Sequence, residues 1–135
     1  MKLNITSLIL SLILCAEASS AYALNWLKVN EDSKTKVYAD TESITNINNR
    51  GKVWVLRDYK EKVDFDGKKA QTFILLLEYD CTEKRKRIVA ARVYSEHMGN
   101  GVRLHTRDYN NNPWEYVTPG TESEAFGYFA CPTKN

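Results

Sequence analysis

The chain has 135 residues, with 19 lysines and arginines against 17 aspartates and glutamates and a formal net charge of +2. This length allows one domain. A charge balance this close to neutrality gives no argument for a nucleic-acid partner, and we predict none.

The first residues predict an export signal. Lys2 precedes an apolar run at residues 8–16, and the sequence AYA ending at Ala23 has the A-x-A form that signal peptidase cuts. The run is shorter than the ~20 apolar residues that span a bilayer. We predict a signal peptide over residues 1–23 and a single domain over residues 24–135. The domain would be exported to the periplasm, the cell surface or the medium of a bacterium.

Lipidation at Cys15 is the alternative for this leader, because bacterial lipoproteins are cut just before a cysteine. Leu14 stands where that cut requires a small residue. Cleavage after Ala23 is therefore the favoured prediction, and a lipoprotein anchored at Cys15 is the less favoured one.

Removal of the leader leaves two cysteines, Cys81 and Cys131, in a compartment where disulfides persist. An even pair in an exported domain predicts one bridge between them. This bridge closes a loop of about 50 residues, for which chain entropy predicts roughly 4 kcal/mol of stabilisation.

The predicted fold class is α+β, with an antiparallel sheet of about six strands and one C-terminal helix that packs on a face of the sheet and is tethered by the disulfide. Turn-forming residues separate segments in which apolar and polar residues alternate. The predicted strands are residues 25–29, 35–40, 53–62, the two arms of a central hairpin over residues 71–95, and residues 102–109. Residues 41–49 lose this alternation and predict an irregular turn.

The central hairpin determines where the end of the chain packs. Alternation along its first strand places Phe73, Leu75, Leu77, Tyr79 and Cys81 on one face. A cysteine bonded to Cys81 must lie on that face, so the segment that ends in the second cysteine must pack there.

The segment before Cys131 predicts a short helix. Thr121 can cap it, and Glu124, three residues later, completes a capping box. Phe126 recurs on one face with other apolar residues at helical spacing. A helix this short is marginal alone in water, so packing and the disulfide must hold it. We expect Phe126 and Trp54 in the core.

Four consecutive cations at the bend of the central hairpin are the sharpest polar feature. Lys84, Arg85, Lys86 and Arg87 could bind a sulfated glycan, an acidic protein segment or another anionic surface. The alternative is a solvated turn whose charges keep the sheet soluble and its edges unpaired.

Other chemistry is sparse. His97, Met98 and His105 could in principle ligate haem, but no C-x-x-C-H motif is present, and they are too few for a zinc site. Asp58 and Asp108 sit in repeated R-D-Y tripeptides, which are better explained by chance or by cross-strand ion pairing than by acid–base catalysis. No nucleophile or phosphate-loop motif occurs. We predict no enzyme, no cofactor and no metal.

Several segments resemble the bacterial surface-adhesin protein E family, and together they span nearly all of residues 24–135. The pairing of a Y-D-C hairpin with a distant cysteine is the most specific of them. The matching segments are residues 37–44, 53–59 and 78–81, then Lys84-Arg85, Tyr94-Ser95, Met98-Gly99, Pro113-Trp114, Pro119-Gly120 and Cys131.

The resemblance implies a six-stranded antiparallel sheet bridged to a C-terminal helix, and a surface module that binds host proteins such as vitronectin and laminin. The basic hairpin, residues 84–87, lies in the stretch that resembles the adhesin's binding region. Haem binding is also implied, as the weaker expectation. One departure is that the family's adhesin looks like an anchored lipoprotein, whereas this leader favours cleavage after Ala23.

The sequence therefore predicts an exported, non-enzymatic binding module. Its partner would be vitronectin, laminin or a heparin-like glycan, bound through Lys84, Arg85, Lys86 and Arg87. A homodimer is a further possible assembly. The alternative is a soluble periplasmic accessory domain that shares only the fold, because fold does not fix function.

Overall fold

The structure, a computed structural model, describes residues 25–132. The predicted signal peptide and Cys15 lie outside this range. Within it the chain forms one antiparallel sheet and one α-helix, which confirms the predicted fold class. No helix in the described range is long and apolar enough to cross a membrane.

Six strands pair side by side in the order β1-β2-β4-β5-β6-β7. They correspond to the six predicted strands. Two short strands add to them, because β3 pairs with β4 and β8 pairs with β6. The elements are β1 (Trp26–Glu31), β2 (Thr35–Asp40), β3 (Thr45–Ile47), β4 (Arg50–Phe65), β5 (Lys68–Asp80), β6 (Arg85–Tyr94), a 3-10 turn (His97–Gly99), β7 (Arg103–Asp108), β8 (Glu115–Tyr116) and α1 (Glu122–Ala130).

The predicted irregular turn before β4 contains the tight hairpin β3–β4. Asn48 and Asn49 have φ of 53° and 59°, a conformation that asparagine tolerates better than most residues. This turn lets Ile47 pair with Arg50. The three residues of β3 are too few to show a hydrophobic period, so the sequence pattern missed this strand.

The longest pairing joins β4 and β5, of 16 and 13 residues. Their turn is Asp66-Gly67, with φ of 50° and 74°, and this sequence suits the two-residue turns that match the twist of a hairpin. Phe65 therefore faces Lys68. The register then shifts between Val63 and Asp58, and from Asp58 it runs without interruption to Arg50 opposite Asp80.

Helix α1 covers one side of the sheet, which we call the helix face. Its core consists of alternate residues of β2, β4 and β5 and two residues of the helix. The buried members are Val37, Ala39, Val53, Val55, Leu77, Tyr79, Phe126 and Ala130. The core prediction is confirmed for Phe126. Trp54 is half-buried and lies on the opposite side, the outer face, because strand residues alternate.

Both ends of α1 are fixed to the sheet. At the C-terminal end of the helix, Cys131 forms the predicted disulfide with Cys81, and the two Cα atoms are 5.6 Å apart. Near its beginning, the buried hydroxyl of Tyr79 donates to the Ser123 carbonyl at 2.7 Å, and Glu122 pairs with Arg57. Burial raises the pKa of Tyr79, so its hydroxyl remains a donor.

The predicted capping box is wrong, although the helix begins where it was expected. Thr121 is the N-cap residue, but its hydroxyl donates back to the Thr118 carbonyl at 2.6 Å. The Glu124 carboxylate accepts from the Gly120 amide at 3.4 Å. The turn before the helix thus supplies partners that compete with the capping geometry.

Gly51 makes the closest contact between the sheet and the helix. A Cβ atom at this position would lie 1.9 Å from the Ala130 carbonyl oxygen. We predict that Gly51→Ala displaces the end of α1 and destabilises the protein by about 2 kcal/mol, as overpacking does. Chemical denaturation measures this. The same substitution at Gly67, where a Cβ would meet no atom within 4 Å but φ is 74°, separates backbone strain from the steric effect.

Reduction of the Cys81–Cys131 bridge should loosen α1 before the sheet, because a helix of nine residues is marginal without its tether. Amide hydrogen exchange measures this, with the double variant Cys81→Ser, Cys131→Ser as the reagent-free equivalent of reduction. Equal protection of α1 in oxidised and reduced protein would contradict the prediction.

Candidate functional site

The four predicted binding cations do not form one patch. Lys84 lies in the turn before β6 with φ of 52°, and the next three residues open β6. Because strand side chains alternate, Arg85 and Arg87 point to the outer face and Lys86 to the helix face. The sheet therefore separates Lys86 from its two neighbours.

Two cross-strand rows of charge occupy the outer face near this turn. In the first row Glu78 lies between Lys52 on β4 and Arg87 on β6, with N–O distances of 3.6 Å and 2.7 Å. In the second row Asp80 lies between Arg50 and Arg85, and the Arg85 guanidinium is 3.0 Å from its carboxylate. Each row carries one more cation than carboxylate.

The central carboxylates of both rows are buried, at 6% exposure for Glu78 and 8% for Asp80. A buried carboxylate needs cations and hydrogen-bond donors to replace its hydration. The Glu83 backbone amide, followed by Arg85, holds the pKa of Asp80 below its ordinary value. Arg85 and Arg87 therefore compensate the buried charges of Asp80 and Glu78.

The Trp114 side chain contacts both rows on the outer face. Its ring lies 4.3 Å from the Arg87 guanidinium carbon, 5.0 Å from that of Arg85 and 5.2 Å from that of Arg50. These separations are typical of cation–π contacts. We call Arg50, Arg85, Arg87 and Trp114 the arginine–tryptophan patch.

Strand β8, only two residues long, explains the position of Trp114. It pairs Tyr116 with Arg85 and Glu115 with Lys86, so the preceding residue reaches the side of Arg87. Arg50 was not predicted as a member of this site, and Trp114 was only one of several aromatic residues that could lie beside the cations. The register of β4 against β5 brings Arg50 there. This register shifts between Asp58 and Val63, so a count from the Asp66-Gly67 turn would not have placed Arg50 opposite Asp80.

Two cations near the hairpin turn have no carboxylate within ion-pair distance among residues 25–132: Arg50 and Lys84. Both are exposed. Lys86, on the helix face, contacts Glu115 of β8 at 3.2 Å, and its side chain is 19% exposed. Arg50 and Lys84 are therefore the cations best placed to meet a partner.

A second polar cluster surrounds Asp58, which is 6% exposed. His97 lies with Nδ1 2.9 Å from the Asp58 carboxylate and Nε2 2.9 Å from the Gln71 side-chain nitrogen. The buried Thr72 hydroxyl donates to the same carboxylate at 3.1 Å. Both imidazole nitrogens are thus occupied, and the cluster fastens the β6–β7 connection to the sheet.

The residues considered for haem are divided by the sheet. His97 contacts Asp58 on the outer face, whereas His105 packs against the Phe65 ring, 5.5 Å away, on the helix face. Within residues 25–132, no three His, Cys, Asp or Glu side chains are grouped as metal ligands. The two histidines therefore do not share a site, and haem binding stays a prediction.

A sequence profile of the family described as surface-adhesin protein E matches residues 26–132. The chain belongs to this family. No curated protein sequence matches the chain significantly. Among solved structures, Haemophilus influenzae protein E is similar in fold, with a TM-score of 0.53, 17% identity, and coverage of 82% of this chain and 99% of that one. Protein E from non-typeable Haemophilus influenzae gives a TM-score of 0.48, 18% identity, and coverage of 75% and 80%.

Membership in the surface-adhesin protein E family confirms the resemblance found in the sequence. It identifies an adhesin-like module and suggests a binding protein rather than an enzyme. It also suggests an exported or surface protein that binds host proteins.

The pH dependence of stability tests the role of Asp80. Its pKa is lower in the folded protein than in the unfolded chain, so its ionised form stabilises the fold above the ordinary carboxyl pKa. This contribution is lost as pH falls through the folded-state pKa. We expect the difference in unfolding free energy between the natural protein and Asp80→Asn to shrink from pH 7 to about pH 3.

Urea denaturation at several pH values measures that difference. Glu83→Gln is the matched control, because it removes a neighbouring carboxylate and keeps the backbone amide that binds Asp80. A difference that stays constant across the pH range would show that the ionised form of Asp80 does not stabilise the fold.

Proposed function

We propose that this protein is an exported, non-enzymatic binding module that holds an acidic or sulfated partner at the hairpin end of its outer face. The candidate partners are vitronectin, laminin and heparin-like glycan. Family membership supports host-protein binding in general, and the arginine–tryptophan patch supports the chemistry of the partner.

The observation that carries the proposal is the convergence of three guanidinium groups on Trp114. Arginine and tryptophan are the residues most enriched in the parts of interfaces that contribute most to binding. Guanidinium groups also bind carboxylates and sulfates through two parallel hydrogen bonds. A flat aromatic ring beside fixed arginines can pack on a sugar or peptide while the cations bind its anionic groups.

The charge balance of the rows adds to this argument. Glu78 and Asp80 neutralise part of the charge of Lys52, Arg85 and Arg87 and hold these side chains in place. A partner would meet cations whose rotamers are already fixed, and binding then costs less side-chain entropy. Arg50 and Lys84 supply the excess positive charge.

The competing function is a periplasmic accessory domain whose cations serve only the fold. Its specific support is that Arg85, Lys86 and Arg87 each have a carboxylate partner inside the protein. The two functions differ in one measurable respect, because only the binding module needs the charge of Arg50 and Lys84.

The test is binding of the full-length expressed protein to heparin and to vitronectin across a salt series. We expect saturable binding that weakens as ionic strength rises. The double variant Arg50→Gln, Lys84→Glu should weaken it about tenfold or more. This variant is preferable to changing all of residues 84–87, because loss of Arg85 and Arg87 would leave two buried carboxylates without cations.

The matched control is Arg103→Gln, Lys34→Glu, which makes the same charge changes at exposed positions far from the hairpin turn. It should bind as the natural protein does. Lys86→Glu tests the predicted contribution of Lys86 separately. If neither ligand binds, or if both double variants lose binding equally, the accessory-domain function is favoured and the patch is not the site.

A further inference from the structure

A cleft of about 140 Å³ lies on the helix face, beside the first turn of α1. Helix α1 packs on β4 and β5, so it leaves the neighbouring side of β5 and β6 without a complete cover. The cleft is lined mainly by apolar side chains. Those that matter most are Val55, Phe73, Leu75, Leu77, Ile88 and Phe126.

The volume of the cleft indicates the size of molecule that it can hold. A cavity of ~150 Å³ lined by leucine, isoleucine and phenylalanine stays dry and accepts a single benzene ring. This cleft has nearly the same volume and the same kinds of lining residue. One six-membered ring therefore fits it.

Two cations line the same cleft, Arg57 and Lys86. Arg57 donates from Nη2 to Glu122, and its side chain is 39% exposed. A guanidinium group carries five N–H donors. Within residues 25–132, the hydrogen bond to Glu122 is the one that the Arg57 side chain donates, so its other N–H groups can bind a ligand. Lys86 donates to Glu115, whose side chain is 69% exposed. Both ion pairs are partly open to solvent, so an incoming anion can reach and compete for both cations.

We propose that this cleft binds a small aromatic carboxylate. The ring would lie between Phe126 and Ile88, and the carboxylate would bind Arg57 with support from Lys86. This site is separate from the arginine–tryptophan patch, because the two lie on opposite faces of the sheet. It therefore does not depend on the function proposed above.

Glu122 gives the proposal a distinctive signature. Its carboxylate already occupies the Arg57 guanidinium that the ligand would use. Removal of the Arg57 charge should weaken ligand binding, whereas removal of the Glu122 charge should strengthen it. A nonspecific apolar site would show neither effect, and a general effect of net charge would also appear at a distant arginine.

The test is a titration of the isotope-labelled, full-length expressed protein with phenylacetate at constant ionic strength, followed by amide chemical shifts in NMR spectra. We expect a Kd on the order of 1 mM for so small a ligand, with the largest shifts in the first turn of α1 and around Ile88. Phenylacetamide, which has the ring without the charge, and acetate, which has the charge without the ring, should each bind at least about tenfold more weakly.

Three variants complete the experiment. Arg57→Gln should weaken phenylacetate binding about tenfold, Glu122→Gln should tighten it, and Arg103→Gln, an exposed arginine on β7, should leave it unchanged. Leu75→Trp, which fills the cleft, should abolish binding. Glu122→Gln keeps the disulfide and the Tyr79 hydrogen bond to α1. It therefore tests whether the ligand carboxylate binds Arg57 even if Arg57→Gln proves unstable.

Several results would overturn the proposal. These are the absence of shifts at about 20 mM phenylacetate, equal binding of phenylacetamide, weaker binding in Glu122→Gln, or unchanged binding in Leu75→Trp. The first shows that the cleft is only a packing defect, the second and third that Arg57 does not hold an anion, and the fourth that the ring binds elsewhere.

Discussion

The pairing of β4 with β5 is the constraint on which the rest of the structure depends. Its uninterrupted register runs from Asp58 opposite Thr72 to Arg50 opposite Asp80, and it fixes three things at once. Gly51 lies under the end of the helix, Val53 and Val55 enter the core, and Arg50 joins the outer face. A slip of one residue would exchange the two faces and remove both the core and the patch.

The two faces of the same few strands have different chemistry. On the helix face, α1 covers an apolar core and leaves a cleft whose anionic and cationic side chains come from α1, β4 and β6. On the outer face, buried Glu78 and Asp80 hold arginines in fixed positions against Trp114. A buried carboxylate without a cation would destabilise the fold. Pairing with Glu78 and Asp80 therefore also determines where the arginines of the outer face lie.

The strands, the helix and the disulfide could be predicted because each depends on local pattern or on cysteine parity. Strand β3 was missed because three residues show no period. The predicted capping box was wrong because the Thr121 hydroxyl donates to the Thr118 carbonyl and does not cap the helix. The binding residues were predicted as a run in sequence, but strand alternation places Lys86 on the opposite face from Arg85 and Arg87. Arg50 and Trp114 lie near these arginines because of strand pairings between distant segments, which no local sequence pattern encodes.

The position of α1 along the chain has a consequence for how the protein folds. The helix follows the eight strands of residues 25–132, so the core of the helix face is incomplete until the last of these elements has been synthesised. Its bond to Cys81 spans a sequence separation of 50 residues, and such distant contacts form slowly. Until then the strands present an uncovered apolar surface, which is prone to aggregation. Closure of the helix face therefore depends on the last element of the described range, and the disulfide holds that element in place.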